Sequence, residues 1–91
     1  MKAKYRAVAN RQLVRIRKTT YAIASKMITD HLGRWCEVRM NKTGDMVKVV
    51  RTGYGPMERP ESDPAEVYLN GELVGEFDDL HEVAQWMCEN Y

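Results

Sequence analysis

Apolar and methyl-bearing residues in the first third of the chain recur with a helical rhythm. Tyr5, Ala9, Leu13, Ile16, Thr20, Ile23 and Met27 are separated by 4, 4, 3, 4, 3 and 4 positions, a spacing that keeps all seven on one face of an α-helix. No glycine or proline lies between Met1 and Leu32 to interrupt it. The stretch RQLVRIRKTT, Arg11–Thr20, also fits a short strand, but a strand accounts only for Val14 and Ile16. The spacing therefore predicts a basic helical segment over residues 1–33, with Gly33 as its left-handed stop and His31 in its last turn. A helix from Lys4 to Leu32 would be roughly 40 Å long, against a radius of gyration of about 13 Å for a domain this size. It must project, pair with a second copy, or break near Lys18–Thr20 with a threonine capping the second half. Ala9 and Thr20 weaken a coiled-coil seam, so packing on a sheet with a bend is the expected outcome.

Beyond Gly33 the period falls to two. WCEVRM and MVKVVRT, joined by NKTGD, read as a hairpin over 34–52. Cys36, Val38 and Met40 face Val47 and Val49, Glu37, Arg39 and Lys48 face water, and Gly44 supplies the turn's positive φ. AEVYL and ELVGEF, joined by Asn70-Gly71, read as a second hairpin over 65–77 with a type I′ turn. That turn pairs Tyr68 with Leu73 and Val67 with Val74. Asp79 then caps a helix over 79–90 together with Glu82. Leu80, Val83, Ala84 and Met87 form its buried stripe, continued by Tyr91, with Trp86 at the border and His81, Glu82, Gln85 and Glu89 outside. The pattern predicts a single two-layer α+β domain, α-β-β-β-β-α, with a four-stranded antiparallel sheet. Residues 53–64 hold all three prolines and form a connector of a length that is usually functional or disordered.

Charge changes the picture more than composition does. The 91 residues carry a net charge of only +1. Yet residues 1–29 contain Lys2, Lys4, Arg6, Arg11, Arg15, Arg17, Lys18 and Lys26 and no acid, while no Lys or Arg follows Glu61. Either the cationic helix face meets an anionic partner, or the two ends of the chain neutralise each other. Lys4, Arg11, Arg15, Lys18 and Lys26 fall opposite the apolar stripe. No helix-turn-helix, zinc-finger or RNP signature accompanies them. In the connector, Tyr54, Met57 and Arg59 supply residue types enriched at interfaces. The acids Glu72, Glu76, Asp78, Asp79 and Glu82 need no purpose beyond favouring a helix N-terminus, and they lack the ligand spacing of a calcium loop.

Metal and catalytic chemistry find little support. His81 and Cys88 lie seven apart and there is no Cys-x-x-Cys pair, so zinc binding by Cys36, Cys88, His31 and His81 is not expected. Both cysteines fall at positions read as buried, where a thiol is inert. Ser25 and Ser62 lack a nucleophile elbow, and GYGP lacks the lysine of a phosphate loop. No cofactor is implied. MKAKYRAVANRQ has no apolar segment after its cations, and no apolar run reaches the roughly 20 residues that span a bilayer. A cytoplasmic protein with reduced thiols and no membrane partner is the expectation.

These observations together point to a non-catalytic binding or regulatory protein. It is expected to dock on an acidic protein or nucleoprotein through Lys4, Arg11, Arg15, Arg17 and Lys18, joined by Tyr54, Met57 and Arg59. The alternative is direct nucleic-acid binding by phosphate contacts from the same helix. The helix length also allows a homodimer, the basic end of one copy lying near the acidic end of the other.

Overall fold

A computed structural model describes residues 10–53, 55 and 59–91. Their order is α1 (Asn10–His31), β1 (Trp35–Arg39), β2 (Met46–Arg51), a 3-10 turn (Pro60–Ser62), β3 (Ala65–Leu69), β4 (Glu72–Phe77) and α2 (Leu80–Asn90). The strands form one antiparallel meander in the order β1-β2-β3-β4. This is the expected α-β-β-β-β-α arrangement.

α1 is a single unbroken helix of 22 residues, roughly 33 Å at the usual rise, matching the longest dimension of 32 Å. Of the three outcomes open to so long a helix, a break at Lys18–Thr20 does not occur. Thr19 and Thr20 turn their hydroxyls back onto the carbonyls of Arg15 and Ile16, at 2.9 and 2.8 Å, instead of capping a second segment. Of the expected stripe, Ile16, Thr20, Ile23 and Met27 are buried and Leu13 is half-buried, while Tyr5 and Ala9 lie outside the described residues. The helix stops one residue earlier than Gly33 suggests. Leu32 (φ 56°) and Gly33 (φ 80°) are both left-handed, and Gly33 N–H donates back to Met27 C=O at 2.7 Å. His31 stacks on Trp35 with ring centroids 3.4 Å apart, tying the end of α1 to β1.

Both helices cover the same face of the sheet. Ile23, Ala24 and Met27 of α1 and Leu80, Val83 and Met87 of α2 bury Cys36, Val47, Val49, Ala65 and Val67. Ile16, Ala84 and Cys88 extend the core between the helices. Each fully buried aliphatic side chain contributes about 1.5–3 kcal/mol relative to exposure.

Two local expectations are corrected. Val67 pairs with Gly75, not Val74, because a bulge between Val67 and Tyr68 shifts the register. Tyr68 still faces Leu73 across the turn, where Asn70 (φ 52°) and Gly71 (φ 90°) adopt the expected left-handed pair. The bulge reverses the parity of β4, so Phe77 lies opposite Ala65 and packs against the core, its ring 6.4 Å from that of Trp86. Glu82, expected on the solvated side of α2, is only 8% exposed. Its backbone N–H donates to Asp79 Oδ1 at 3.0 Å, and its carboxylate accepts from Asp78 N–H at 2.8 Å, one residue before the usual capping-box partner.

The far ends of the hairpins are stapled through Asp45. Its carboxylate accepts from Asn70 Nδ2 (3.0 Å), Tyr91 Oη (2.8 Å) and Thr43 Oγ1 (2.8 Å). The bonds from Asn70, Tyr91 and Thr43 hold this carboxyl below the usual aspartate range. A depressed folded pKa gives stability that is present above the unfolded value of about 3.9 and is lost as pH falls through the folded value. The expected result is that acidification from about pH 7 to pH 3 lowers the urea midpoint more in the wild type than in Asp45→Asn. Equal losses would show that the staple does not carry this dependence.

Candidate partner-binding surface

The outer face of α1 is built from the same repeat that buries its inner face. Val14, Tyr21 and Ile28 stand seven residues apart, so they line one stripe about two turns per step. With Ile16, Thr20, Ile23, Ala24 and Met27 turned to the core, this stripe is left outside. Val14 is 49% exposed, Tyr21 76%, Ile28 42%, and Leu32, directly after the helix, 71%. Single exposed apolar residues are ordinary; Val14, Tyr21 and Ile28 recur along one line of the helix, with Arg17 and Lys18 between the first two. Arg11, Arg17 and Lys18 are exposed on the same helix, and none has an ion-pair partner among the described residues. Among those residues, the carboxylates after Glu61 therefore do not quench these three cations.

Arg15 is used differently. Its guanidinium donates to the Cys88 carbonyl at 3.2 Å, placing a cation at the negative end of α2. Thr19 Oγ1 lies 3.6 Å from Cys88 Sγ in the same contact. Arg15 is thus a helix–helix tie as well as an exposed cation. Lys4, Tyr54 and Met57 lie outside the described residues. Arg59 is exposed and leads into the 3-10 turn, which packs against both helices with Pro60 buried.

The connector over 53–64 is anchored rather than structureless where it is described. Arg51 Nε donates to Asp63 Oδ2 at 2.6 Å, and the two side chains are only 6% and 14% exposed. Arg51 also donates to the Gly33 carbonyl at 3.4 Å, so one guanidinium joins the end of α1, the end of β2 and the connector. Gly55 N–H donates to the same carboxylate oxygen at 3.1 Å. A Cβ on Gly53 would sit 2.8 Å from Asp63 Cγ, and one on Gly55 2.6 Å from Asp63 Oδ1. A side chain at either position would push the Asp63 carboxylate away from Arg51.

Burial pushes the Cys36 thiol up to about 12, so it keeps its proton and is a poor nucleophile or metal ligand. Among the described residues, no three His, Cys, Asp or Glu side chains converge to hold a metal ion, and no helix is long and apolar enough to cross a membrane. Comparison with protein-family models, curated proteins and solved structures finds no match to this chain.

The sequence singles out the cations of α1 but not the exposed apolar residues Val14, Tyr21 and Ile28 beside them. The signal was available in the seven-residue spacing of Val14, Tyr21 and Ile28. The 4-3 rhythm of the inner face obscured it.

Proposed function

We propose that this chain is a small, non-catalytic binding protein that docks on an acidic and partly apolar protein or nucleoprotein surface. Val14, Tyr21 and Ile28 form the centre of contact, and Arg11, Arg17 and Lys18 its charged rim. The observation that carries this reading is an exposed apolar stripe flanked by cations that have no ion-pair partner among the described residues. An apolar centre with a polar rim is the usual anatomy of a protein contact, and the cations select an anionic partner and speed encounter.

Direct binding to nucleic acid would use Arg11, Arg17 and Lys18 against phosphates but would leave Tyr21 and Ile28 in water, so it is the weaker reading. Pairing of two α1 stripes would bring the same cations together in one interface, a like-charge juxtaposition that opposes a second copy as occupant.

The test is a photoreactive phenylalanine derivative introduced at Tyr21, with the same group at the exposed loop residue Lys42 as control. Irradiation in native extract should yield a discrete cross-link to an acidic protein from position 21 and not from position 42. Identical products from both positions, or cross-links to nucleic acid alone, would contradict the assignment.

A further inference from the structure

Among the described residues, the sheet has a second face that the helices leave uncovered except where His31 of α1 stacks on Trp35. Strand parity places Trp35, Glu37 and Arg39 of β1, Met46, Lys48 and Val50 of β2, Glu66 and Tyr68 of β3, and Leu73 and Glu76 of β4 there. Glu37, Met46, Lys48, Val50, Tyr68 and Gly71 enclose a recess of about 300 Å³, near the lower bound of small-ligand pockets. We infer that this recess receives an arginine side chain from a protein partner, stacked on Tyr68 and paired with Glu37.

The chemistry of the walls carries this inference. Met46 and Val50 give an aliphatic lining, Lys48 lies beside them, and Tyr68 gives an aromatic ring. Glu37 is the direct cross-strand neighbour of Lys48, yet the two form no ion pair. The Lys48 ammonium instead lies 4.5 Å from the Trp35 ring centroid. Glu37 therefore keeps an exposed carboxylate with no hydrogen-bond or ion-pair partner among the described residues. Tyr68 Oη donates to Glu66 Oε1 at 3.3 Å, which fixes the ring and adds a second carboxylate beside it. A planar guanidinium matches this set: its face stacks on an aromatic ring, and its edge donates two parallel bonds to a carboxylate.

Nucleic acid fits the same face poorly. Trp35, its largest aromatic, already has His31 stacked at 3.4 Å and the Lys48 ammonium over its ring, which leaves it little surface for a base. Glu37, Glu66 and Glu76 outnumber Arg39 and Lys48 on this face and would oppose a phosphate backbone. The inference is independent of the docking surface on α1 and gives the molecule a second contact of opposite charge preference.

The experiment is an amide chemical-shift titration of the full chain with N-acetyl-arginine amide, run in parallel with the lysine and glutamate analogues and uridine monophosphate. Saturable shifts should appear at Met46, Val50, Tyr68 and Gly71 for the arginine probe, with the lysine analogue at least about threefold weaker, since it lacks the planar fork. Glu37→Gln, which preserves shape and removes charge, should weaken the arginine probe about tenfold. Tyr68→Leu should weaken it as well, while charge reversal at Arg11, Arg17 and Lys18 should leave it unchanged. The inference is overturned by any of three results: no saturable shifts at these amides, equal affinity in Glu37→Gln, or tighter binding of the glutamate or nucleotide probe.

Discussion

Replacing Asp63 by alanine should lower the unfolding free energy by about 3–5 kcal/mol, the usual loss when one partner of a buried ion pair is removed. Arg51 and Asp63 are 6% and 14% exposed, so solvent offers little replacement for the lost carboxylate. The guanidinium would keep, among others, its bond to Gly33 C=O, but its charge would stay in a low-dielectric setting beside a connector that has lost this anchor. Gly55 N–H would lose the same acceptor. Asp63→Asn keeps the shape and some hydrogen bonding, and should cost less than alanine. Arg51→Met combined with Asp63→Ala removes both charges and should recover part of the loss, a non-additivity that a double-mutant cycle measures. Urea denaturation gives the values. A loss below about 1 kcal/mol for Asp63→Ala would place this pair with exposed salt bridges, and the connector would then not depend on it.

What the sequence revealed, and what it hid, follows the range of each interaction. The hairpins were legible because alternation at Cys36, Val38, Val47 and Val49 and the turn residues Gly44 and Asn70-Gly71 act over a few positions. α2 was legible because Asp79 and the Leu80–Met87 stripe carry both a cap and a period. The β4 bulge was not, since its effect is tertiary: it brings Phe77 to the core face beside Trp86, whereas an unbulged ladder from the same two-residue turn would have aimed it the other way. Burial of Glu82 was hidden because a capping carboxylate reads as solvated until the neighbouring chain is placed. Arg51 and Asp63 stand twelve residues apart in elements of different kinds, so no local pattern joins them. For the candidate surfaces, the cations of α1 could be read directly. Alternation identified the outward side of the sheet, but it carries no information on which outward residues enclose a recess.

Reversing Arg11, Arg17 and Lys18 to glutamate together should weaken binding to the protein captured through position 21 by at least about tenfold, or roughly 1.4 kcal/mol. Each reversal replaces an attraction with a repulsion across the contact, and such juxtapositions cost several kcal/mol where the surfaces meet closely. The fold should tolerate all three changes, because none of these side chains has an ion-pair partner among the described residues. Arg15 is excluded from the variant since its bond to the Cys88 carbonyl supports the packing of the helices. The wild-type affinity should fall between about 50 and 200 mM salt, and the reversed variant should lose most of that dependence.

The most direct measurement is therefore the binding isotherm of wild type and triple variant against that partner at both salt concentrations, with circular dichroism confirming equal helix content. A tenfold or greater loss in the folded variant, with a flattened salt response, is the predicted outcome. Affinity within twofold of wild type at both concentrations would contradict docking through the outer face of α1.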